Sequence, residues 1–251
     1  METTIDRVGE AVLYGWPNAG LGLAALILAV LFLRPWPPGR PYAERLRDPQ
    51  WLLWAAVPMY MLHQFEEHGV DCLGRHYAFL EGLCTALGHA DLATCPADAR
   101  FILAVNVSLV WIAGPVSAAL ARRRLYVGAT FLCTPLVNAI VHTVPALIKG
   151  EYNPGLVTSI FLFLPVCIYT MYRLRRAGAL DGPRLASLAV FGALLHGVLL
   201  AAVKAHEAGL ISAAVRDAIQ VINAFTPLVA GFALDRALAS RQPSAHGRRE
   251  A

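Results

Sequence analysis

Three groups of polar side chains stand inside long apolar stretches, and their types and spacing suit chemistry. His63, Glu66 and Glu67 fall at i, i+3 and i+4, so one helix face can present all three. Asn138 and His142 repeat the i, i+4 spacing in a later stretch. Two such faces turned together would supply two imidazoles and two carboxylates. That donor set suits zinc, or iron where coordination positions stay open for water or oxygen. His63, Glu66, Glu67 and His142 are therefore the candidate metal ligands. Glu66 and Glu67 are also candidates for moving protons, since a carboxyl group in an apolar site suits general acid–base work. Asn138 and Tyr152 are candidates for orienting ligand or substrate, and His68, Asn106 and His196 are outlying members.

Each outlier has a plainer reading. Glu67-His68 suits a solvated membrane surface, although His63 lies too deep to share that explanation. Asn106 suits a hydrogen bond between helices. His196, set among Leu, Gly and Val, suits a satisfied core histidine.

The surroundings explain why these residues stand out. The chain has 251 residues, 57% hydrophobic and only 15% charged, with a mean hydropathy of +0.53. Soluble proteins carry about 25% charged residues, so this chain lacks the charge to cover a water-facing surface. Disorder, a disulfide-dense secreted module, a coiled coil and a nucleic-acid binder are all poor fits to this composition. The net charge of +4 does not indicate an acidic partner, because the basic residues cluster in short segments between apolar runs. The expectation is an all-α, polytopic transmembrane bundle forming a single domain over residues 1–251.

A spanning helix needs about 20 mostly apolar residues, and seven stretches qualify: 17–33, 50–68, 101–121, 125–148, 154–172, 184–203 and 212–234. Residues 69–100 form a polar loop and residues 235–251 a polar tail. No internal repeat is visible. Met1 to Glu10 has no basic n-region, so no cleavable signal peptide is expected.

Alternating the sides places 15 of the 21 basic residues on one face: Arg34, Arg40, Arg45, Arg47, Arg122 to Arg124, Arg173, Arg175, Arg176, Arg184, Arg236, Arg241, Arg248 and Arg249. Positive residues stay cytoplasmic, which predicts the N-terminus outside and the C-terminus inside a bacterial inner membrane. Cys72, Cys84 and Cys95 then fall outside, where disulfides persist. One pair is expected to be oxidised, with Cys84–Cys95 favoured because it closes a short loop. Cys133 and Cys167 read as packing residues, and Trp16, Trp36, Trp51 and Trp54 as interfacial anchors.

With 1.5 Å of rise per residue, His63 lies about 20 Å and Glu67 about 25 Å from the inner end of their helix. Asn138 and His142 lie at about 20 and 25 Å, Asn106 about 9 Å below the outer end, and His196 about 20 Å above the inner one. Four helices thus bring polar groups into the outer half of the bilayer. Tyr152-Asn153-Pro154-Gly155 reads as a tight outer turn that would bring Tyr152 beside His142.

The string His63-Gln64-Phe65-Glu66-Glu67 resembles the signature of the HXXEE-domain family of bacterial integral membrane proteins. Asn138-Ala139-Ile140-Val141-His142, Tyr152-Asn153-Pro154-Gly155 and the following Thr158 look like that family's later patterns. The resemblance covers about Trp51 to Thr158. It implies a membrane protein with a shared polar site and carries no reaction.

These observations predict an intramembrane metalloenzyme acting on a membrane lipid or small apolar substrate. A metal-free acid–base enzyme, a proton- or cation-coupled transporter, and a bis-His haem protein using His63 and His142 are the alternatives. Transporters usually show repeats or broken helices in matching positions, and neither is evident. A retinal protein is excluded, since residues 212–234 contain no lysine.

Overall fold

A computed structural model describes residues 4–34 and 41–240. Seven long helices run through these residues: α1 (Thr4–Leu33), α2 (Pro49–His68), α3 (Ala99–Leu120), α4 (Leu125–Lys149), α5 (Leu156–Arg176), α6 (Gly182–Glu207) and α7 (Ala213–Ala239). No strand forms among the described residues; Val70 and His76 make one isolated bridge. Side-chain oxygens placed just before the first turn start several helices. Asp48 accepts from the Gln50 N–H, Asp98 from Phe101, Asp181 from Arg184 and Ser212 from Val215, each satisfying an otherwise unpaired donor.

Six of the helices are long and apolar enough to cross a membrane. α2 is not among them, because His63, Gln64, Glu66, Glu67 and His68 crowd its last turns. Its position explains the composition. α2 packs against α1, α3, α4 and α5, so its polar atoms face protein and are buried there.

Several boundaries differ from the sequence reading. α1 begins well before Pro17, which lies inside it. α3 widens into a π-helical stretch at Val107–Ala113 and α5 does the same at Ser159–Phe163. α7 is interrupted after Asn223 and restarts at Thr226, with Pro227 in its new first turn. Lys204-Ala205-His206-Glu207 is the last turn of α6 rather than a loop.

Trp16 and Trp51 are buried, not interfacial. Trp16 packs on Trp111 and His68, and Trp51 donates to the Leu31 carbonyl at 3.2 Å. Trp36, Arg40, Arg241, Arg248 and Arg249 lie outside the described residues.

The segment between α2 and α3 is structured. It holds a short helix, Ala78–Ala86, and a disulfide joining Cys84 to Cys95. Cys72 is free and exposed, while Cys133 and Cys167 are buried. Asp71 accepts from the Leu73 and Arg75 N–H groups and pairs with the Arg75 guanidinium at 2.8 Å. The Tyr77 hydroxyl donates to the Leu13 carbonyl at 2.7 Å, tying the segment to α1. Buried Arg216 of α7 reaches the Pro96 carbonyl and Asp98, and its guanidinium lies over Phe101. This cap covers the end of the bundle where α2 and α4 finish and α3 and α5 begin.

Candidate metal centre

The spacing of α2 and α4 decides which side chains meet. Residues i and i+4 share a helix face, so His63 and Glu67 project together from α2. His142 comes from the facing part of α4. Its Nε2 lies 3.0 Å from Glu67 Oε1, while His63 Nε2 lies 3.3 Å from Glu67 Oε2. One donor atom from each of the three falls within 4.8 Å of the others. Their relative exposures are 0% for His63, 4% for Glu67 and 3% for His142, so the group is shut off from solvent.

These residues fit a metal ion. A buried polar atom without a partner is costly, and apart from the Glu67 carboxylate 3.0 Å away His142 Nε2 is buried with no hydrogen-bond partner. Two imidazoles and one carboxylate are a ligand set for zinc with a further open position, or for non-haem iron. Contacts of 3.0 to 3.3 Å between ligand atoms suit ions bound at about 2.0–2.2 Å from each donor.

Gly155 forms one wall. It holds φ = +92°, and a Cβ there would stand 2.7 Å from His63 Cε1, 2.8 Å from His142 Cε1 and 2.9 Å from Glu67 Cγ. Only glycine combines that backbone angle with so close an approach. The rings of His63 and His142 are centred 5.0 Å apart at 78°, and Phe163 is 4.3 Å from His63. That packing provides no slot for a porphyrin between the two imidazoles.

Glu66 is not part of the group. Its Oε1 accepts from the Tyr152 hydroxyl at 2.9 Å and the Val157 N–H at 3.1 Å. Its Oε2 accepts from the Thr158 N–H at 2.8 Å and the Thr158 hydroxyl at 2.5 Å. Cys72 Sγ approaches Oε1 at 3.6 Å. Glu66 thus fastens the start of α5 to the end of α2.

Tyr152 is placed by the same contact rather than beside His142. Its hydroxyl accepts from the Cys72 N–H at 3.3 Å. Burial, reinforced by the Glu66 carboxylate, holds the Tyr152 phenol well above its ordinary pKa. Burial and Glu66 also push the Cys72 thiol up. The residue that meets His142 is Asn153, with Oδ1 at 2.7 Å from His142 Nδ1.

Asn138 Nδ2 lies 3.0 Å from both Tyr60 Oη and His63 Nε2, placing this amide at the edge of the group. His68 Nε2 lies 3.4 Å from Glu67 Oε2 and 3.3 Å from Asn106 Nδ2. Asn106 in turn accepts from Gln64, whose side-chain oxygen accepts from Trp111. His68 and Asn106 therefore form a flank to Glu67. His196 donates its Nδ1–H to the Gly192 carbonyl, 2.8 Å away in its own helix, as a core histidine would.

Asn153, Gly155, Thr158, Gln64 and Tyr60 were not singled out as site residues from the sequence. The first three lie in the Tyr-Asn-Pro-Gly and Thr pattern, so their signal was present but unassigned.

The family model described as a protein of unknown function with HXXEE motif matches residues 54–170. This stretch, just under half of the chain, is similar to that family. No curated protein and no solved structure matches the chain. The matched segment supplies every member of the His63–Glu67–His142 group, together with Glu66, Asn138, Asn153, Gly155 and Thr158. α1, α6 and α7 pack around it from outside the matched region.

Proposed function

We propose that the protein is a multi-pass metalloenzyme of the bacterial inner membrane. In this reading α2 also crosses the bilayer, giving seven spans with the N-terminus outside and the C-terminus inside. The basic residues support that orientation, because 15 of 21 fall on one side when the helices alternate. The convergence of His63, Glu67 and His142 within 4.8 Å is the observation that carries the metal reading.

Zinc or iron held there would supply a Lewis acid or an activated water next to the outer leaflet. The substrate class we infer is a membrane lipid or small apolar molecule, a reading supported by six helices long and apolar enough to cross a membrane. Within this site Asn138 reaches His63 from the side, so it is placed to orient a bound group. Tyr152 acts through Glu66 at the margin. Hydrolysis, oxidation and acid–base chemistry are all compatible with this ligand set.

Elemental analysis of detergent-purified protein tests the centre. The expected result is stoichiometric zinc or iron, lost in His63→Ala and in His142→Ala. The double variant should add little, because the ligands act as a unit. Tyr152→Phe should retain the metal while lowering turnover. Wild-type protein that holds no metal, and gains no thermal stability from zinc or iron, would replace this reading with metal-free acid–base chemistry. Reporter fusions test the topology: a fusion after Ala90 should report outside, and fusions after Arg123 and Arg176 inside.

A further inference from the structure

An imidazole serves a metal through the nitrogen that carries no proton, and the partner of its other nitrogen decides which one that is. His142 is settled by Asn153. The Asn153 amide donates from Nδ2 to the His142 carbonyl at 2.9 Å, which turns Oδ1 toward His142 Nδ1 at 2.7 Å. A carboxamide oxygen only accepts. His142 Nδ1 therefore bears a proton, and Nε2 is turned toward Glu67.

His63 is settled less directly. Its Nδ1 lies 2.7 Å from the Thr158 hydroxyl, which is able to donate or accept. The other neighbours of that hydroxyl are Glu66 Oε2 at 2.5 Å and the Gly155 carbonyl at 3.2 Å. A carbonyl only accepts, and Glu66 already receives two N–H groups and the Tyr152 hydroxyl, which marks it as an acceptor too. The single Thr158 hydrogen is thereby committed away from His63. Its lone pair receives the His63 Nδ1–H. His63 Nε2 faces both a donor, the Asn138 amide nitrogen at 3.0 Å, and an acceptor, Glu67 Oε2 at 3.3 Å, so the assignment rests on the Thr158 contact.

We propose that Glu66 and Thr158 are positioning residues that hold His63 in the Nδ1–H form and aim Nε2 at the centre. The two adjacent glutamates then have different jobs. Glu67 is a ligand, and Glu66 orients a ligand through one intervening hydroxyl. The consequence for metal affinity rests on the metal reading above, whereas the tautomer itself does not.

The test uses full-length protein in detergent with 15N-labelled histidine, first without metal. NMR should show His63 and His142 protonated at Nδ1 in the wild type. Thr158→Val, which keeps the shape and loses the hydroxyl, should mix the His63 tautomers and leave His142 unchanged. Thr158→Ser should restore the wild-type pattern. With zinc, competition titration should show Thr158→Val and Glu66→Gln weakened about 10- to 100-fold, and the double variant little weaker than either. Glu67→Gln should abolish binding.

His63 protonated at Nδ1 in Thr158→Val with wild-type affinity would overturn the proposal. So would Glu66→Gln losing metal as completely as Glu67→Gln, since that would make Glu66 a ligand. If the wild type binds no metal, the metal reading fails, while the tautomers of the metal-free variants still decide the relay. Should Thr158→Val fail to fold, Glu66→Gln against the wild type carries the comparison, since it alters the acceptor that commits the Thr158 hydrogen.

Discussion

Gly155→Ala separates backbone strain from pressure on the metal-binding side chains. At φ = +92° any L-residue loses about 1–2 kcal/mol to the left-handed conformation. The new methyl would also stand 2.7 to 2.9 Å from carbon atoms of His63, His142 and Glu67, well inside the 3.5–4.0 Å of favourable carbon contact. Overpacking of this kind costs about 1–3 kcal/mol more. Gly150 supplies the control, because it has φ = +68° and an added Cβ there meets nothing within 4 Å. Gly150→Ala should therefore show the strain alone. Denaturant titration in micelles, without metal, should place Gly155→Ala about 1–3 kcal/mol below that control. Because two imidazoles and the carboxylate must shift to admit the methyl, zinc competition should show at least about a tenfold loss of affinity, equivalent to about 1.4 kcal/mol. Equal stabilities and equal affinities for the two variants would refute the close packing of Gly155 on the three ligands.

Two further outcomes follow from the cap. Thiol labelling of intact and fully reduced protein should differ by two cysteines, and Cys84→Ser should cost about 2–3 kcal/mol, as expected for a short closed loop. Burial raises the Tyr77 phenol from 10.0 to about 12. The unfolded chain loses that proton near pH 10.0, so unfolding releases a proton between pH 10.0 and about 12, and stability falls as pH rises through this window. Tyr77→Phe should flatten that fall, measured as the denaturation midpoint against pH, and lower stability at neutral pH by the lost bond to Leu13.

The helical class and the pairing of His63 and Glu67 with His142 were legible because both follow from periodicity. The i, i+4 rule places two side chains on one face whatever surrounds them. Glu66 shows where that reasoning stops. At 3.6 residues per turn, positions i+3 and i+4 sit about 100° apart on either side of residue i. The two carboxylates of Glu66 and Glu67 therefore diverge, one to the α5 start and one to the imidazoles. Spacing alone left both directions open. Tyr152 and Asn153 were harder still, since a turn obeys no period and its backbone angles choose which side chain faces His142. Trp16 and Trp51 misled because an aromatic ring near a helix end serves a membrane interface and a buried contact equally well.

The two widened helical turns have an evolutionary consequence. Asn106 immediately precedes the one in α3, and Thr158 the one in α5. A π-helical turn accommodates an extra residue without shifting what lies upstream. The widened turn therefore sets the rotation of the half that carries Asn106 or Thr158 relative to the half beyond it. Deleting one residue inside either widened turn would swing the two halves by about 100° relative to each other. Conversely, substitutions beyond either widened turn that keep the chain length would leave the bearings of Asn106 and Thr158 unchanged.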